Sequence, residues 1–423
     1  MSAFFDFFFA RPVLTAVLTF LAVYPLLSSA IVSTAAIVSA LRRRRSRWYI
    51  PEPGSLERAH DRYPVISILI PAHNEELVVA SAVKRALAIR WPALDIIVID
   101  DASIDGTRAA VSEFVEAGLI RLLHKPVNEG KSMALNDATR ICRGELLLVL
   151  DADGQPDPAV FEWMVPRFVD APRVAAVTGN PRVLNTRSIL ARVQAIEFSA
   201  TVGIQRRGDS VWGRLMTFSG LCTLVDRNAL QALDGFAPNM ATEDIDLTWR
   251  LQLAGRQVVY EPAALFGMQV PETIGAWWRQ RRRWVEGLAQ VLRRHGPAAA
   301  RPAQWRLWPL LAKASLSILW AHLLVLVAIA WIVARLTDVL RPDVGSALAM
   351  FAAIVLVAGV VQVLLGFVLD ARYDRGLAGQ LPWAAWYPLA YWLLAVFTVV
   401  RCTIPALLRK PRGLSTWNLE RLD

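Results

Sequence analysis

The sequence has 423 residues, 55% of them apolar, and a mean hydropathy of +0.38. This composition is too apolar for a purely soluble protein and allows one or two globular domains beside a membrane region. The formal net charge of +10 is gathered in short arginine-rich stretches that border apolar segments. Such placement is more typical of contacts with lipid headgroups than with nucleic acid, so we expect no nucleic-acid partner. Three widely separated cysteines argue against a disulfide framework and against a thiolate metal site.

The first apolar segment predicts a retained membrane anchor. Pro12 to Leu41 carries no charged residue and is followed by the basic block Arg42 to Arg45 with Arg47. The segment exceeds the roughly 20 residues that a helix needs to cross the hydrocarbon core. Because the basic block follows the segment, the pattern differs from that of a cleaved signal peptide and predicts a cytoplasmic location for the next domain.

Further apolar segments predict three more membrane helices, at Ala314–Ala334, Val344–Leu369 and about Leu381–Val400. Four crossings create a conflict, because they place the basic residues Arg409, Lys410 and Arg412 on the side opposite to the first basic block. Pro382 and Pro388 make the last segment irregular and permit a break or a re-entrant path. The side of the C-terminal tail therefore stays open.

Between the membrane segments, short apolar runs alternate with amphipathic helical patterns, which predicts an α/β domain. Val65–Ile70 predicts a buried parallel strand closed by Pro71. Asn74 and Glu75 lie in the turn before a helix predicted at about Leu77–Ile89. Two more strands are predicted, at Ile96–Ile99 and Leu146–Leu150. Ligands of open sheets bind beyond the carboxyl ends of the strands, so the acidic residues that follow the second and third strands should converge on one crevice.

Two acidic pairs follow these strands. Asp151 and Asp153, one residue apart, could hold one hard cation, Mg²⁺ or Mn²⁺, while a nucleotide diphosphate supplies further ligands. Asp100 and Asp101 could accept hydrogen bonds from a uracil ring or a ribose. Either pair alone is commonly a helix cap or a turn, but their recurrence at two strand ends favours binding. Lys131 could supply positive charge to the nucleotide, and a solvated surface lysine is nearly as consistent with the sequence.

The acids Glu243 and Asp244, after Thr242, open a helix predicted over Ile245–Leu253. Asp244 is the predicted general base, and Glu243 or Asp246 could take that role instead. Acids in a first helical turn also stabilise the helix dipole without any further function.

The run from Gln280 through three arginines to Trp284 predicts a helix along the membrane surface. Gln280, Arg283 and Trp284 share one helical face beside an apolar stripe. Arg283 could then reach a diphosphate, and Trp284 could offer its ring to an acceptor sugar. Arg281 falls within the apolar stripe, so it must snorkel or bend the pattern. A generic basic interfacial helix would explain the flanking arginines equally well.

Together these motifs resemble the family 2 glycosyltransferases with a GT-A fold. The Gln-x-x-Arg-Trp element resembles the processive branch that makes cellulose, chitin, hyaluronan and poly-N-acetylglucosamine. Val177–Arg182, Met240–Gln252 and Tyr260–Pro262 are most similar to members that make a β-1,6-linked N-acetylglucosamine polymer. The resemblance implies UDP-N-acetylglucosamine as donor, inversion at the anomeric carbon, and a growing polysaccharide chain as acceptor.

The resemblance also implies roles for individual residues. Donor binding is predicted for Pro71, Asn74, Glu75, Asp100, Asp101, Lys131, Asp151 and Arg283. Acceptor binding is predicted for Glu243, Gln280 and Trp284, metal binding for Asp151 and Asp153, and general-base catalysis for Asp244. In some members the family suggests a small membrane partner subunit and activation by a cyclic dinucleotide.

The predicted location is a bacterial inner membrane, with several crossings and a cytoplasmic catalytic domain. The predicted organisation is an anchor (1–47), a GT-A domain (48–270), interfacial helices (271–313), a second membrane region (314–408) and a basic tail (409–423). Three other functions stay open. The first is another processive polysaccharide synthase, of the hyaluronan, chitin or cellulose type. The second is transfer of a single sugar to a lipid carrier, and the third is nucleotide-sugar binding without turnover.

Overall fold

The structure is a computed structural model that describes residues 12–45, 63–169, 171–337, 342–374, 376–384, 386–409 and 413–414. Arg47 of the first basic block and Lys410 and Arg412 of the tail lie outside these ranges. All three cysteines are buried free thiols.

An eight-stranded mixed sheet forms the centre of the α/β domain, in the order β3-β2-β1-β4-β7-β6-β8-β5. The strands are β1 (Ile66–Ala72), β2 (Leu94–Asp101), β3 (Arg121–Lys125), β4 (Leu146–Val149), β5 (Gln155–Pro156), β6 (Val174–Val183), β7 (Thr223–Asp226) and β8 (Gln257–Met268). The helices between them are α2 (Val79–Leu87), α3 (Thr107–Glu116), α4 (Lys131–Ile141), α5 (Val160–Met164), α6 (Ile189–Glu197), α7 (Ile204–Val211), α8 (Arg227–Gln231) and α9 (Glu243–Leu253). Strand β1 pairs in parallel with β2 and β4, so the carboxyl ends of these strands meet at one edge.

The sequence of β1 explains its central position. All seven of its residues are buried, as expected for a strand covered on both faces. Ile68 and Ile70 pack into the hydrophobic core on one face of the sheet, and Leu69 packs into the core on the other. The strand does not end at Pro71, as the sequence predicted, because Pro71 pairs with Ile99 in the ladder and Ala72 with Asp100.

The other predicted elements are confirmed with shifted ends. Strand β2 is longer than its apolar core, so Asp100 and Asp101 are its last two residues and do not follow it. The third predicted strand is β4, the fourth in chain order. Strand β3 was missed because Arg121, His124 and Lys125 interrupt any apolar alternation.

Three helices among the described residues are long and apolar enough to cross a membrane. They lie in α1 (Pro12–Arg45), α11 (Trp308–Leu336) and α12 (Pro342–Asp370), at the first three predicted segments. The chain is therefore membrane-associated by its own composition.

The predicted fourth crossing stays a prediction. The last apolar helix is shorter than the three above and runs beside α10 (Ile274–Ala299). This helix, α13 (Trp392–Leu408), contacts α10 at both of its ends. At the first end the Trp277 indole donates a hydrogen bond to the Tyr391 hydroxyl at 2.8 Å. At the other end Arg293 donates to the Arg409 carbonyl, also at 2.8 Å. A topology with three crossings would avoid the conflict over the basic tail, because Arg409 lies beside α10.

Buried ion pairs join the membrane helices to the α/β domain. Asp370, at the end of α12, is fully buried and pairs with Arg207 and, at 2.8 Å, with Arg182. Glu261 of β8 pairs with Arg43 at the end of α1. A charge removed from water is stable only when it is paired, so these contacts fix where each helix meets the domain.

Candidate active site

Lys131 brings two of the predicted acidic clusters together. Its ammonium group lies 2.6 Å from Oδ1 of Asp151 and 3.1 Å from Oε1 of Glu243. Asp151 follows β4, and Glu243 begins α9, so one cation joins the sheet edge to that helix. Burial alone would lower the pKa of Lys131, but the carboxylates of Asp151 and Glu243 outweigh it and raise this pKa. Lys131 is therefore positively charged at neutral pH and is not a solvated surface lysine.

Asp101 positions the loop that carries Lys131. Its carboxylate accepts hydrogen bonds from the backbone N–H groups of Gly130, at 2.7 Å, and Glu129, at 3.2 Å. Gly130 has a φ of 85°, a conformation that favours glycine, directly before α4 begins at Lys131. Asp101 thus acts on the site through the backbone beside Lys131.

Asp100 is fully buried, and both of its oxygens are bonded within the protein. The Ser103 N–H donates to Oδ1 at 2.9 Å, and Nδ1 of His124 lies 2.8 Å from Oδ2. In this conformation Asp100 and Asp101 hold loops at the ends of β2 and β3. Their direct contact with a nucleotide stays a prediction that requires some of these bonds to be exchanged.

The predicted turn after β1 is tied to the loop after β2. Asn74 has a φ of 56°, its N–H donates to the Ser103 hydroxyl at 2.9 Å, and its side-chain oxygen accepts from the Ile104 N–H at 3.0 Å. The Glu75 N–H donates to the Thr107 hydroxyl at 2.8 Å. The structure therefore brings Asn74 and Glu75 to the same sheet edge as Asp100 and Asp101.

Asp244 differs from its acidic neighbours in having no ion-pair partner among the described residues. Its carboxylate accepts only backbone N–H bonds, from Ile245 at 2.8 Å and Gly220 at 3.2 Å. Burial, and after it the negative charge of Glu243, raise the pKa of Asp244 to about 6. Burial also acts on Glu243, but the charges of Lys131 and Arg283 lower its pKa.

Asp246 is unsuited to the alternative role of general base that the sequence left open. It is fully buried, 2.7 Å from Nε2 of His295 and 2.6 Å from Nε of Arg250. These partners overcome the effect of burial and lower the pKa of Asp246. Of the three acids in the first turn of α9, Asp244 is the one with a raised pKa and no cation bound to it, as a base near neutral pH requires.

The arginine-rich run lies within α10, as predicted, and approaches the acids of α9. The charge of Arg283, which is exposed, helps to lower the pKa of Glu243 and limits the rise in the pKa of Asp244. Trp284 is partly buried, and the guanidinium of Arg281 lies 4.2 Å from the centre of its ring. Gln280 is half-buried on the same helix. Roles for Gln280, Arg283 and Trp284 in substrate binding stay predictions.

Of the two alternatives that the sequence left for Arg281, the structure does not show snorkelling, because its guanidinium is buried in an ion pair. It forms two bonds to the Glu197 carboxylate, at 2.8 and 2.6 Å, and the Tyr391 hydroxyl donates to the same carboxylate at 2.7 Å. A bidentate pair of this kind has well-defined geometry, so it fixes α10 against α6 and α13. Nothing in the local sequence marks Glu197 as the partner.

Helix α10 packs closely on the start of α9 at Gly287. A Cβ atom at this position would lie 1.9 Å from the Thr242 hydroxyl oxygen and 2.7 Å from Thr242 Cβ. We therefore expect Gly287→Ala to push the helices apart and lower the free energy of unfolding by about 1–3 kcal/mol. The matched control is Gly296→Ala on the same helix, where the nearest atom is Leu311 Cδ1 at 3.9 Å. Thermal unfolding in detergent should show a loss for Gly287→Ala alone, and equal melting temperatures would contradict the close contact.

Asp151 and Asp153 fit a divalent cation only in a site that they share with a bound diphosphate. They flank Ala152 after β4, and one Asp151 oxygen is already ion-paired with the ammonium group of Lys131. The Asp151 side chain is 33% exposed, so a ligand can reach it. Within the described part of the chain, no group of three or more His, Cys, Asp and Glu residues could hold a metal ion by itself. Two hard oxygen donors suit a cation that takes its other ligands from a bound diphosphate.

The sheet, with its acids gathered at one edge, defines a glycosyltransferase of the GT-A type. A family model described as "Glycosyltransferase like family 2" matches residues 64–287, more than half of the chain. The chain belongs to glycosyltransferase family 2.

Curated relatives extend the similarity into the membrane region. The chain is 32% identical over 361 residues to a poly-beta-1,6-N-acetyl-D-glucosamine synthase of Staphylococcus epidermidis, covering 85% of this chain and 88% of the relative. It is 30% identical over 360 residues to the synthase of the same name from Staphylococcus aureus strain COL, covering 85% and 87%.

Among solved structures, a mannosyltransferase from Pyrobaculum calidifontis in complex with GDP-Man and Mn²⁺ has a similar fold. The TM-score is 0.64 at 21% sequence identity, with 90% of this chain and 98% of the other covered. This similarity supports the GT-A fold.

Proposed function

We propose that the enzyme transfers N-acetylglucosamine from UDP-N-acetylglucosamine to the 6-hydroxyl at the end of a growing β-1,6-linked polymer, and does so processively. The observation that carries this proposal is Asp244, an acid with a raised pKa and no bound cation, beside Lys131, Asp151 and Arg283. The names of the staphylococcal relatives support the choice of sugar and linkage.

In the proposed reaction Asp244 removes the proton of the acceptor hydroxyl. The acceptor oxygen forms a bond to the anomeric carbon from the face opposite to UDP, and the bond from that carbon to the diphosphate oxygen breaks. The electron pair leaves with UDP, so the configuration is inverted and no covalent enzyme intermediate forms. The charges of Lys131 and Arg283 stabilise the negative charge that develops on the departing diphosphate.

Asp151 and Asp153 would hold Mg²⁺ or Mn²⁺ together with the donor. When bound, the cation supplies further positive charge at the diphosphate. The mannosyltransferase from Pyrobaculum calidifontis was solved with Mn²⁺ and GDP-Man, which is consistent with a divalent cation in this fold.

The proposed location is a bacterial inner membrane, with the catalytic domain (48–270) and the interfacial helices (271–313) in the cytoplasm. The polymer would leave past Gln280 and Trp284, because α10 lies between the acids of α9 and the apolar helix α13. Passage of the polymer across the bilayer, a small partner subunit and control by a cyclic dinucleotide are further parts of the proposal that follow from the family resemblance.

A panel of donors tests the proposed substrate. Purified protein with Mg²⁺ should release UDP from UDP-N-acetylglucosamine at least tenfold faster than from UDP-glucose or UDP-glucuronate. Faster turnover of another donor would assign a different polysaccharide. An organic-extractable product with one sugar would favour transfer to a lipid carrier, and donor binding without UDP release would favour a non-catalytic binding protein.

The pKa of Asp244 predicts the pH dependence of transfer. The active form of a base is deprotonated, so the rate should fall as the pH drops through about 6. Lys131→Met removes a positive charge that lowers this pKa, so the acidic limb should move to higher pH. Lys84→Met, on the exposed side of α2, is the matched control and should leave the limb in place. Initial rates between about pH 5 and about pH 8 measure the acidic limb in each variant. An unshifted limb in Lys131→Met would contradict the assignment of Asp244 as the base.

A further inference from the structure

The structure has a cavity of about 480 Å³ that none of the candidate active-site residues lines. Three arginines line it together with two glutamines and one tryptophan: Arg173, Arg214, Arg306, Gln257, Gln304 and Trp305. No aspartate or glutamate is among its lining residues. Sites of this composition take anions, because positive charges that face one cavity repel one another until a negative charge lies between them.

The arginines of this cavity lack the partners that other arginines of the chain have. Within the described ranges, none of the three forms an ion pair, whereas Arg43, Arg207 and Arg281 each bind a buried carboxylate.

Arg214 gives the strongest indication of an anion site. It is only 7% exposed, and its Nε has no hydrogen-bond partner. Among the described residues, the one hydrogen bond of its side chain is donated to the Gly213 carbonyl, at 2.9 Å. Burial and the charge of Arg306 both lower the pKa of Arg214, opposite to the effect of a nearby carboxylate. A buried guanidinium in this state costs free energy unless a ligand supplies the negative charge.

The position of the cavity indicates the source of the ligand. Trp305 and Arg306 belong to a short 3-10 helix, Pro302–Leu307, that leads directly into the membrane helix α11. Trp305 is largely exposed, as tryptophans at a membrane–water interface are. Part of the cavity wall thus adjoins the start of a helix that is long and apolar enough to cross a membrane, the region of a membrane protein that faces lipid headgroups.

We propose that Arg173, Arg214 and Arg306 form a binding site for a phosphate-bearing anion, supplied by the headgroup of an anionic membrane lipid. A bound phosphate would join the α/β domain, through Arg173 and Arg214, to the segment that precedes α11. It would also stabilise the far end of α9, because Gln304 donates a hydrogen bond to the Leu253 carbonyl at 3.2 Å. This site is independent of the proposed sugar donor and acceptor.

Thermal unfolding of the full-length protein in a non-ionic detergent tests the proposal. Phosphatidylglycerol should raise the melting temperature of the wild type by several degrees more than phosphatidylcholine does, because a ligand that binds only the folded state stabilises it. The double variant Arg214→Gln, Arg306→Gln should lose this difference. Arg301→Gln, an exposed arginine beside the same 3-10 helix but outside the cavity, should keep it.

Inorganic pyrophosphate distinguishes the two sources of phosphate. Stabilisation by pyrophosphate but not by phosphatidylglycerol would overturn the lipid assignment and identify a soluble phosphate compound as the ligand. Equal effects of all additives on the wild type, or an unchanged lipid effect in the double variant, would overturn the site itself.

A single variant gives a readout that does not require the double variant to fold. Arg306→Gln, at an exposed position, should raise the melting temperature without added anion, because it removes the charge that faces buried Arg214. A lower melting temperature would overturn the repulsion on which the proposal rests.

Discussion

Asp244→Asn is expected to lower the rate of sugar transfer by about 100- to 10,000-fold, the usual contribution of a positioned general base. An amide is close to a carboxylate in size, and its single oxygen can accept one of the two backbone N–H bonds that Gly220 and Ile245 donate to the carboxylate, but it cannot take up a proton. The donor should therefore still bind. Radiolabelled transfer and donor-binding titration, carried out on the same preparation, measure the two effects separately.

Two further substitutions make this result specific. Asp234→Asn changes an exposed aspartate whose φ of 58° asparagine also adopts, so transfer should be unaffected. Glu243→Gln removes the acid that is paired with Lys131 and should reduce transfer less than Asp244→Asn does. If Glu243→Gln abolishes transfer while Asp244→Asn elongates at near wild-type rate, Glu243 is the base.

Asp370→Leu is expected to lower the free energy of unfolding by about 3–5 kcal/mol, because it leaves two buried guanidinium groups without their carboxylate. Arg182 lies 2.8 Å from Oδ2 of Asp370, and the Ser199 hydroxyl donates to the same oxygen at 2.8 Å. Arg207 pairs with Oδ1 of Asp370. The loss should appear as a lower melting temperature and as release of α12 from the α/β domain in limited proteolysis.

The control for this prediction is Asp374→Asn, four residues further along the chain. Its Oδ1 accepts a hydrogen bond from the Gly376 N–H at 3.0 Å, and the described residues give it no ion pair. Its melting temperature should stay within about 2 °C of the wild type, as for most surface substitutions. A similar small effect for Asp370→Leu would show that the buried pairs do not hold the membrane helix to the domain.

Local patterns predicted the sheet and its acidic edge well. The buried run of β1 and the acids that end β2 or follow β4 can be read from neighbouring residues, because strand burial and strand ends leave local marks. The pairing of Lys131 with Asp151 and Glu243 could not be predicted in this way. It depends on β4 and α9, which are far apart in the sequence, meeting at one cation.

Long-range partners explain what the sequence left open. The contacts of Arg281 could not be predicted because Glu197, 84 residues earlier, supplies its partner. The fourth crossing stays a prediction because apolar composition suits a helix that packs on α10 as well as one that spans lipid, and hydropathy does not separate the two. In both cases the deciding contact involves α10, whose neighbours no local pattern reveals.

The proposed function is that one cleft builds a polymer of N-acetylglucosamine from UDP-N-acetylglucosamine. It is tested most directly by the size and linkage of the radiolabelled product that the purified wild type makes from this donor alone. We expect long chains, already present at low donor consumption, that a β-1,6-specific N-acetylglucosaminidase degrades. A product that stops at one sugar, or long chains that resist this enzyme, would contradict it.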